Sequence, residues 1–431
     1  MLNRGFIKNG ATLISGNLWA QGISFAAYLL LTRLFSPEDI GLYNIFYSYI
    51  EVLVILSTCK YEMAVVIADD DREATAVSRL ALRLNTVITL LLLGILVVVH
   101  FAFPDSPLDL VNENFYTALL IPPMVFFCGT SRVYNAVLNR IKSFNHIAMS
   151  EAIGSTGGVA VKLLLGLPRL AGTWLHSLGL PIGTVVGKMV SNINLLVRIR
   201  RQNLPKDITK EERRGAAAKF KNFPIYTMPK EWLNSFSHNL PFLWLALYVD
   251  KAEVGLFALA LTFTFRPVNI LYTAFEKLLY VDIAEKVRTR QSIKDDILKF
   301  IKYLNIVALP VCIVAFIFAD TIFGFLFGGR WTDCGYYIRC LLPWVYITLT
   351  STSLVFLSNV FSKQRTEFLF YLFLCLLRIV AVVVGVVTGD FRLAVLLFSI
   401  AGAAISLAVL IWCLRLVSLF ESRTLEGKDN L

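Results

Sequence analysis

The apolar residues of the chain fall into twelve long runs separated by shorter polar segments. Each run holds about 20 residues, the length that an α-helix needs to cross the hydrocarbon core of a bilayer. In the first half of the chain the pattern predicts spans at residues 11–31, 40–59, 84–103, 116–138, 147–166 and 173–197. In the second half it predicts spans at residues 225–249, 254–276, 300–320, 336–360, 367–387 and 392–416. The pattern therefore indicates an all-α integral membrane protein with twelve transmembrane helices.

The most polar segment of the chain, residues 198–224, separates the two sets of spans. Within it, Thr209 precedes Glu212 by three residues, a capping-box spacing that predicts a short surface helix. The predicted domains are an N-terminal six-helix bundle (1–197), a cytoplasmic basic linker (198–224), a C-terminal six-helix bundle (225–418) and a cytoplasmic tail (419–431).

Composition agrees with a membrane location. Of the 431 residues, 57% are hydrophobic and only 16% are charged, and the mean hydropathy is +0.67. Soluble domains carry about 25% charged residues. The net charge of +11 has no compact basic domain to carry it. We therefore expect no nucleic-acid partner and attribute the positive excess to membrane topology.

Charge asymmetry predicts the orientation. Of the 41 Lys and Arg residues, 29 lie at the two chain ends and in alternate loops that share one face, whereas six lie in loops of the other face. By the positive-inside rule the richer face is cytoplasmic. Both termini are then cytoplasmic, which requires an even number of spans.

The two halves of the chain resemble each other. The segment PEDIGLYNIF (37–46) matches DKAEVGLFAL (250–259) at an offset of 214 residues, and Tyr61-Glu62 meets Phe275-Glu276 at the same offset. Six spans in each half give both halves the same orientation, so the predicted repeat is parallel, about an axis along the membrane normal. Such repeats build two bundles around a central cavity.

Several function classes lack their sequence features. The chain contains no GxxxxGK[ST] phosphate-binding loop, and no loop is long enough for an ATPase domain or for the external active site of a membrane glycosyl transferase. We expect a protein that is not an enzyme and that has no cofactor and no metal site.

Six cationic residues lie within predicted spans: Arg132, Lys162, Lys188, Lys230, Arg266 and Arg378. A lipid-facing charge at mid-bilayer costs at least about 2.5–3.5 kcal/mol. Lys188, Arg132 and Lys230 lie near enough to span ends for their side chains to reach the interface. Arg266 lies about 15–18 Å from either end of its span, too far for its side chain. We expect Arg266 to face a polar cavity, with a structural ion pair as the alternative.

Polar residues at helical spacing accompany these charges. Thr262, Arg266, Asn269 and Thr273 share one face, and Pro267 predicts a kink beside the charge. Similar stripes occur in three other spans: Asn17, Gln21, Ser24 and Tyr28 in span 1, Asn44, Ser48 and Glu51 in span 2, and Glu231, Asn234 and His238 in span 7. Each stripe alone fits interhelical hydrogen bonding equally well. Together they favour a shared polar cavity.

Three segments resemble a known family. Arg33 to Tyr43 (RLFSPEDIGLY) is similar to R-L-x-S-P-E-D-x-G-x-[FY], and LFGGRW (326–331) to an external lfG-x-x-W turn. Lys60-Tyr61-Glu62 followed by DDDREA (69–74) resembles R-Y-E…D-x-E-A, with Lys60 in place of the usual Arg. These motifs are typical of the bacterial polysaccharide transporters, also called oligosaccharide or O-antigen flippases, of the multidrug/oligosaccharidyl-lipid/polysaccharide exporter superfamily.

The resemblance implies two six-helix bundles whose spans 1, 2, 7 and 8 line a central cationic cavity. It implies a substrate, an undecaprenyl-diphosphate-linked oligosaccharide moved between leaflets of the bacterial inner membrane, with membrane lipids, glycosyltransferases and a polysaccharide polymerase as partners. The predicted substrate-binding residues are Arg266, Arg132, Lys162, Arg378, Asn17, Gln21 and Asn269. The predicted coupling or gating residues are Glu51, Glu231, His238 and Pro267, with H⁺ or Na⁺ as the coupling ion.

Three other functions compete with this one. A cation-coupled multidrug exporter of the same superfamily would favour carboxylates in its cavity, whereas this chain has more basic than acidic residues in its spans. A membrane glycan polymerase or ligase would need a large external loop. A non-transporting scaffold would depend on loop 198–224 and not on cavity residues.

Overall fold

The computed structural model describes residues 27–102, 114–170, 172–202, 205, 207–243, 248, 250–289, 291–361 and 363–426. These residues form helices and connecting turns, and no strand occurs among them. The first half of the chain contains α1 (27–34), α2 (Pro37–Ser57), α3 (Glu62–Ile67), α4 (Asp71–Ala102), α5 (Phe115–Leu119), α6 (Ile121–Arg140), α7 (Phe144–Leu165), α8 (Trp174–Ser177), α9 (Gly179–Arg200) and α10 (Lys210–Lys219). The predicted all-α class is confirmed.

The second half contains α11 (Met228–Leu243), α12 (Lys251–Arg288), α13 (Lys294–Phe327), α14 (Cys334–Thr352), α15 (Leu357–Val360), α16 (Gln364–Thr388) and α17 (Phe391–Glu426). A π-helical turn, Phe223–Thr227, leads directly into α11. Six of the described helices are long and apolar enough to cross a membrane: α2, α4, α9, α13, α16 and α17.

The candidate spans differ in how much of their surface is buried by protein. In α2, 61% of the most apolar window is buried, against 11% in both α4 and α13. The exposed residues of α4 and α13 include many large aliphatic side chains. An apolar surface of this kind suits contact with lipid. Helix α2 instead lies inside its bundle, so polar groups on α2 contact protein.

The chain divides into two compact units, Met1–Leu243 and Trp244–Leu431. In the first unit α2 packs against α4, α6 and α11, and α7 packs along α9. Helix α11 follows the predicted linker in the chain but belongs to the first unit through its contact with α2. The predicted domain boundaries stay a prediction.

Helices α7 and α9 approach closely because four glycines lie at their interface. A Cβ at Gly154 would lie 2.7 Å from the carbonyl oxygen of Gly187, and a Cβ at Gly158 would lie 2.8 Å from that of Gly183. The reciprocal positions are equally tight, with a Cβ at Gly187 falling 2.7 Å from the Gly154 carbonyl oxygen. Small residues that allow backbone contact are typical of helix pairs in membranes.

The linker helix α10 is attached to the first unit by both charge and packing. Arg72 donates to the carboxylate of Glu212, and Lys219 pairs with Asp69 at 2.8 Å and with Glu73. We call these five residues the linker network. Ala216 and Phe220 are buried in the apolar cluster that continues onto α3 and α4. Within the predicted linker, α10 is therefore packed against α3 and α4.

Capping boxes start both α10, where the sequence predicts one, and α2. Thr209 Oγ1 accepts a hydrogen bond from the Glu212 amide at 3.2 Å, and the Glu212 carboxylate accepts from the Thr209 amide at 2.7 Å. The predicted surface helix is confirmed. In the motif RLFSPED, Ser36 caps α2 and Asp39 completes the box. This part of the motif thus fixes the start of the helix that carries Glu51.

In the second unit α14 is the central helix. It packs against α12, α13 and α17, and α16 packs along α17. Trp331 of the LFGGRW turn is fully buried, and the turn begins at Gly328, whose φ of +99° favours glycine. This motif is therefore a folding element that joins α13 to α14.

Candidate functional site

Glu51 lies at the meeting point of α2 and α11. The side-chain amide of Asn239 donates to its carboxylate at 3.0 Å, and the Ser235 hydroxyl donates to its backbone carbonyl at 3.2 Å. Asn239 is 4% exposed and Glu51 is half-buried. A carboxylate accepts at both oxygens, so the amide leaves Glu51 with further acceptor capacity.

Arg132 on α6 is a cation that acts electrostatically on Glu51. It is half-buried, and its charge acts on the Glu51 carboxylate. Its Nη1 is shielded from solvent and has no hydrogen-bond partner within the described part of the chain. Such buried N–H groups are rare and often mark the place of an ion or ligand. Among the described residues, Arg132 Nη1 is therefore an unused donor.

An ion pair connects α7 and α9. Lys188 on α9 donates to the two carboxylate oxygens of Glu151 on α7 at 2.9 and 3.3 Å. The two side chains are 26% and 32% exposed, so the pair is accessible from one side. The Cys128 thiol on α6 lies within electrostatic range of both Arg132 and Lys188. We call Glu51, Arg132, Glu151, Lys188 and Asn239 the polar cluster.

Lys162 occupies a position nearer the start of α2. Its ammonium lies 3.3 Å from the Tyr43 hydroxyl and 4.8 Å from the centre of the Tyr43 ring. The same hydroxyl accepts from Thr184 at 3.1 Å. Tyr43 and Glu51 are separated by about 12 Å along α2. Lys162 is therefore held by an aromatic side chain, not by a carboxylate.

Lys60 lies beyond the other end of α2 and pairs with Glu231. The distance between the ammonium and the Glu231 carboxylate is 2.6 Å, and Glu62 lies 4.0 Å away. Cys59 and Lys60 have φ values of +49° and +61°, so the chain turns sharply here. The first part of the Lys60-Tyr61-Glu62 motif thus serves an ion pair with the predicted gating residue Glu231.

Arg266 and Asn269 are exposed on α12 in the second unit, and Thr262 is half-buried. The helix runs without interruption through Pro267, which is exposed. The side chain of Thr273 lies outside the described residues, and the predicted polar face of α12 stays a prediction. The predicted kink stays a prediction.

Arg378 differs from the other predicted contacts because it is only 3% exposed. Its guanidinium lies 4.9 Å from the ring centre of Trp344 and 4.3 Å from that of Phe398. All three side chains belong to the second unit. Arg378 is therefore enclosed by aromatic rings in this structure.

The structure gives fewer contacts for the other predicted site residues. Asn17 and Gln21 lie outside the described residues. His238 is half-buried on α11 beside Asn239. In the predicted stripe of span 2, Asn44 donates its amide to the carbonyl of Ile40 in its own helix at 2.8 Å. Within the described ranges no group of three His, Cys, Asp or Glu side chains is arranged to hold a metal ion.

Sequence reasoning missed two features of the polar cluster. Asn239 was not singled out, although Ser235 and Asn239 share the i, i+4 spacing of a polar face on α11. Glu151 and Lys188 lie in different predicted spans, and their pairing joins α7 to α9 across 37 residues. Opposite charges at matching depth in adjacent predicted spans were the available signal.

The chain was compared with protein families and with known proteins. Residues 30–335 match the family described as polysaccharide biosynthesis protein. No curated protein matches the chain. The family match covers more than half of the chain and includes all of the described residues of the polar cluster.

Solved structures share the fold at low sequence identity. An inward-facing multidrug resistance MATE family transporter of the MOP superfamily aligns with a TM-score of 0.73 at 14% identity, covering 93% of this chain and 96% of that one. The lipid II flippase MurJ, in an inward closed conformation, aligns with a TM-score of 0.64 at 14% identity, covering 98% and 94%.

A MOP superfamily transporter from Pyrococcus furiosus, whose binding pocket is described as having reverse polarity, aligns with a TM-score of 0.65 at 13% identity and covers 96% of each chain. These three proteins are described as transporters or as a flippase, and none as an enzyme. The chain belongs to the polysaccharide biosynthesis protein family and has the fold of the MOP-superfamily transporters, as its sequence motifs predict.

Proposed function

We propose that the chain is a flippase that moves an undecaprenyl-diphosphate-linked oligosaccharide from the cytoplasmic to the outer leaflet of the bacterial inner membrane. Transport proceeds by alternating access and serves surface polysaccharide biosynthesis. The lipid II flippase among the structural neighbours acts on a lipid, which supports a lipid-linked substrate here. The family match supports the polysaccharide pathway.

The observation that carries the proposal is the buried donor of Arg132. A diphosphate needs several N–H donors when it leaves water, and guanidinium groups bind phosphate with two parallel hydrogen bonds. Arg132 Nη1 has no hydrogen-bond partner within the described residues, and the charge of Arg132 acts on the Glu51 carboxylate. An incoming diphosphate would satisfy this donor and take the place of the carboxylate as its counter-charge.

The other cations of the first unit extend this site. Lys162 lies toward the start of α2, Lys188 lies near Arg132, and Lys60 follows the end of α2. Lys162 contacts the Tyr43 hydroxyl, Lys188 pairs with the partly exposed Glu151, and Lys60 pairs with Glu231, whose side chain is 41% exposed. A series of exchangeable cations lowers the cost of moving an anion through a region of low dielectric constant. Arg266 and Asn269, both exposed on α12, are proposed as substrate contacts in their own right.

Glu51 is proposed as the internal competitor of the substrate. In the structure Asn239 holds its carboxylate near Arg132. When the diphosphate binds, it replaces the Glu51 carboxylate as the counter-charge of Arg132. When the diphosphate leaves, the carboxylate takes its place again, so Arg132 is compensated by an anion in both states. Coupling to H⁺ or Na⁺ would act on Glu51, Glu231 or His238, the predicted coupling residues.

We also propose that the chain has twelve transmembrane spans, arranged as two parallel repeats of six. Helix α12 begins at residue 251, which is 214 residues after the start of α2 at residue 37. The packing order supports the repeat: α6 contacts α2, α4 and α9 in the first unit, and α14 contacts α12, α13 and α17 in the second. Cytoplasmic termini follow from the charge asymmetry of the loops.

The test uses purified protein in liposomes that contain an undecaprenyl-diphosphate oligosaccharide with a fluorescent sugar. Quenching by a membrane-impermeant reagent reports movement between leaflets. Replacement of Arg132 by Ala should lower the initial rate by about 10–100-fold, because a buried charge-assisted contact is lost. Arg132→Lys should retain part of the rate, since one donor group remains.

The matched control is Lys299→Ala, which removes an exposed cation from α13 and should leave the rate unchanged. Full activity of Arg132→Ala would overturn the site. Absence of flipping by the wild-type protein together with export of cationic dyes would favour the multidrug exporter. Lengthening of the glycan would favour the polymerase.

A further inference from the structure

Trp344 lies at the centre of the second unit, where four helices meet. Arg378 of α16 covers its ring at 4.9 Å, and the ring of Phe398 on α17 stands against it at a centroid distance of 5.7 Å. Trp344 is 5% exposed, Phe398 is 1% exposed and Arg378 is 3% exposed. The indole is thus fixed by a desolvated cation–π contact, the stronger form of this interaction.

Two further contacts hold the indole from other directions. A Cβ at Gly402 would lie 2.5 Å from Trp344 Cε2, so the indole rests directly on the α17 backbone. The Phe265 ring of α12 lies 4.4 Å from the Trp344 ring, measured between centroids. We call Phe265, Trp344, Arg378, Phe398 and Gly402 the tryptophan hub.

The tryptophan hub is connected to Arg266, the exposed cation of α12, through Phe265. Arg266 follows Phe265 directly, and successive residues of a helix differ by about 100° in direction. Docking of Phe265 onto Trp344 therefore turns Arg266 away from the packed side, in agreement with its exposure. Pro267 lacks an N–H, which removes one backbone hydrogen bond from α12 at this point. The contact between Phe265 and Trp344 therefore stabilises the part of α12 that lacks this backbone hydrogen bond.

We propose that Arg378 is a positioning residue that sets the direction of Arg266 through Trp344 and Phe265, and is not itself a contact for the anionic substrate. The role of Arg266 as a contact rests on the proposed function. The placement of Arg266 by the hub does not depend on it.

The first test measures placement without transport. Phenylglyoxal modifies exposed arginine side chains, and mass spectrometry of peptides gives the rate for each one. In Arg378→Lys the rate at Arg266 should change at least about threefold, because an ammonium does not stack on the rings of Trp344 and Phe398 as the planar guanidinium does. Arg214, exposed on α10 in the first unit, serves as the internal reference and should not change. The matched control is Arg365→Lys at the exposed start of α16.

Gly402→Ala provides a second variant that leaves every charge in place. Its Cβ displaces Trp344 from the α17 backbone, so it should alter the Arg266 rate in the same way as Arg378→Lys. An unchanged Arg266 rate in both variants overturns the proposal. A change at Arg214 of the same size also overturns it, because a general loss of structure would then explain the result.

The second test measures transport in the liposome assay. If Arg378 acts through Arg266, then Arg378→Lys lowers the rate in the wild-type background but adds nothing in an Arg266→Lys background. Independent losses that multiply would mean that Arg378 acts by another route, which overturns the proposal. Failure of the wild-type protein to flip the lipid would instead remove the proposed function, and the phenylglyoxal rates would still decide the placement.

Discussion

The side-chain amide of Asn239 on α11 donates a hydrogen bond of 3.0 Å to the carboxylate of Glu51 on α2. The same amide donates to the Ser235 carbonyl of its own helix at 2.9 Å, which fixes its direction. The seventh predicted span is thereby attached to the first unit through a carboxylate near Arg132. The hydrogen bond between Asn239 and Glu51 therefore holds α11 against α2 and also positions the negative charge of the proposed site.

Replacement of Glu51 by Gln separates these two roles. The amide oxygen of Gln still accepts from Asn239, so the fold should persist, but the negative charge near Arg132 is gone. The lipid-linked diphosphate should then bind more tightly and leave more slowly. In the liposome assay we expect a lower KM together with a maximal rate reduced by about 10-fold, equivalent to about 1.4 kcal/mol.

Glu38→Gln is the control, because Glu38 is exposed in the first turn of the same helix. It should leave both parameters unchanged. A higher KM for Glu51→Gln would show that Glu51 assists binding of the substrate, contrary to its proposed role as competitor.

The ion pair of Glu151 and Lys188 allows stability and transport to be distinguished. Lys188→Met leaves a half-buried carboxylate unpaired, which should lower the free energy of unfolding by about 1–3 kcal/mol. Adding Glu151→Gln removes the unpaired charge and should restore most of the thermal stability in detergent. Flipping should stay low in the double variant, because the cation is still missing. A double variant that flips at the wild-type rate would show that Lys188 only stabilises the bundle.

The sequence was sufficient for the fold class, the family and the start of several helices. Periodicity and length reveal helices, and the capping box at Thr209 and Glu212 depends only on neighbouring residues. The pairing of Glu151 with Lys188 depends on how α7 lies against α9, and the glycines that set this contact are visible in the sequence only as small residues.

The environment of each intramembrane cation also escaped prediction. Arg266 and Arg378 look alike in the sequence, since both interrupt apolar runs. One is exposed and the other is enclosed by Trp344 and Phe398. Such differences arise from contacts between helices distant in the chain, which a local pattern does not encode.

The linker network predicts a dependence on pH. Arg72 and the Thr209 amide hold the pKa of the Glu212 carboxyl at about 2, below its ordinary value of 4.5. Because the folded state lowers this pKa, its contribution is complete above about pH 4.5 and is lost as the pH falls toward 2. Hydrogen exchange of α10, corrected for intrinsic rates, should therefore be constant from neutral pH to about pH 5 and should accelerate below that.

A matched pair of substitutions tests the same network at neutral pH. Lys219→Ala removes two ion pairs, whereas Lys221→Ala removes an exposed cation two residues later. Trypsin should cleave after Arg213 and Arg214 faster in the first variant than in the second, because cleavage requires local opening of α10. Equal cleavage rates would show that apolar packing alone holds this helix.

The glycine contact between α7 and α9 gives a prediction with its own control on the same helix. A Cβ at Gly154 would meet the Gly187 carbonyl oxygen and the Ser191 Cβ, each at 2.7 Å, so Gly154→Ala should force the helices apart and lower the midpoint of thermal unfolding. A Cβ at Gly157 meets nothing within 4 Å. Gly157→Ala should therefore stabilise the protein by about 0.5–1 kcal/mol, because alanine loses less conformational freedom in a helix. The two variants differ by three positions and share the same chemistry, so opposite shifts in detergent would confirm the contact, and shifts of the same sign would contradict it.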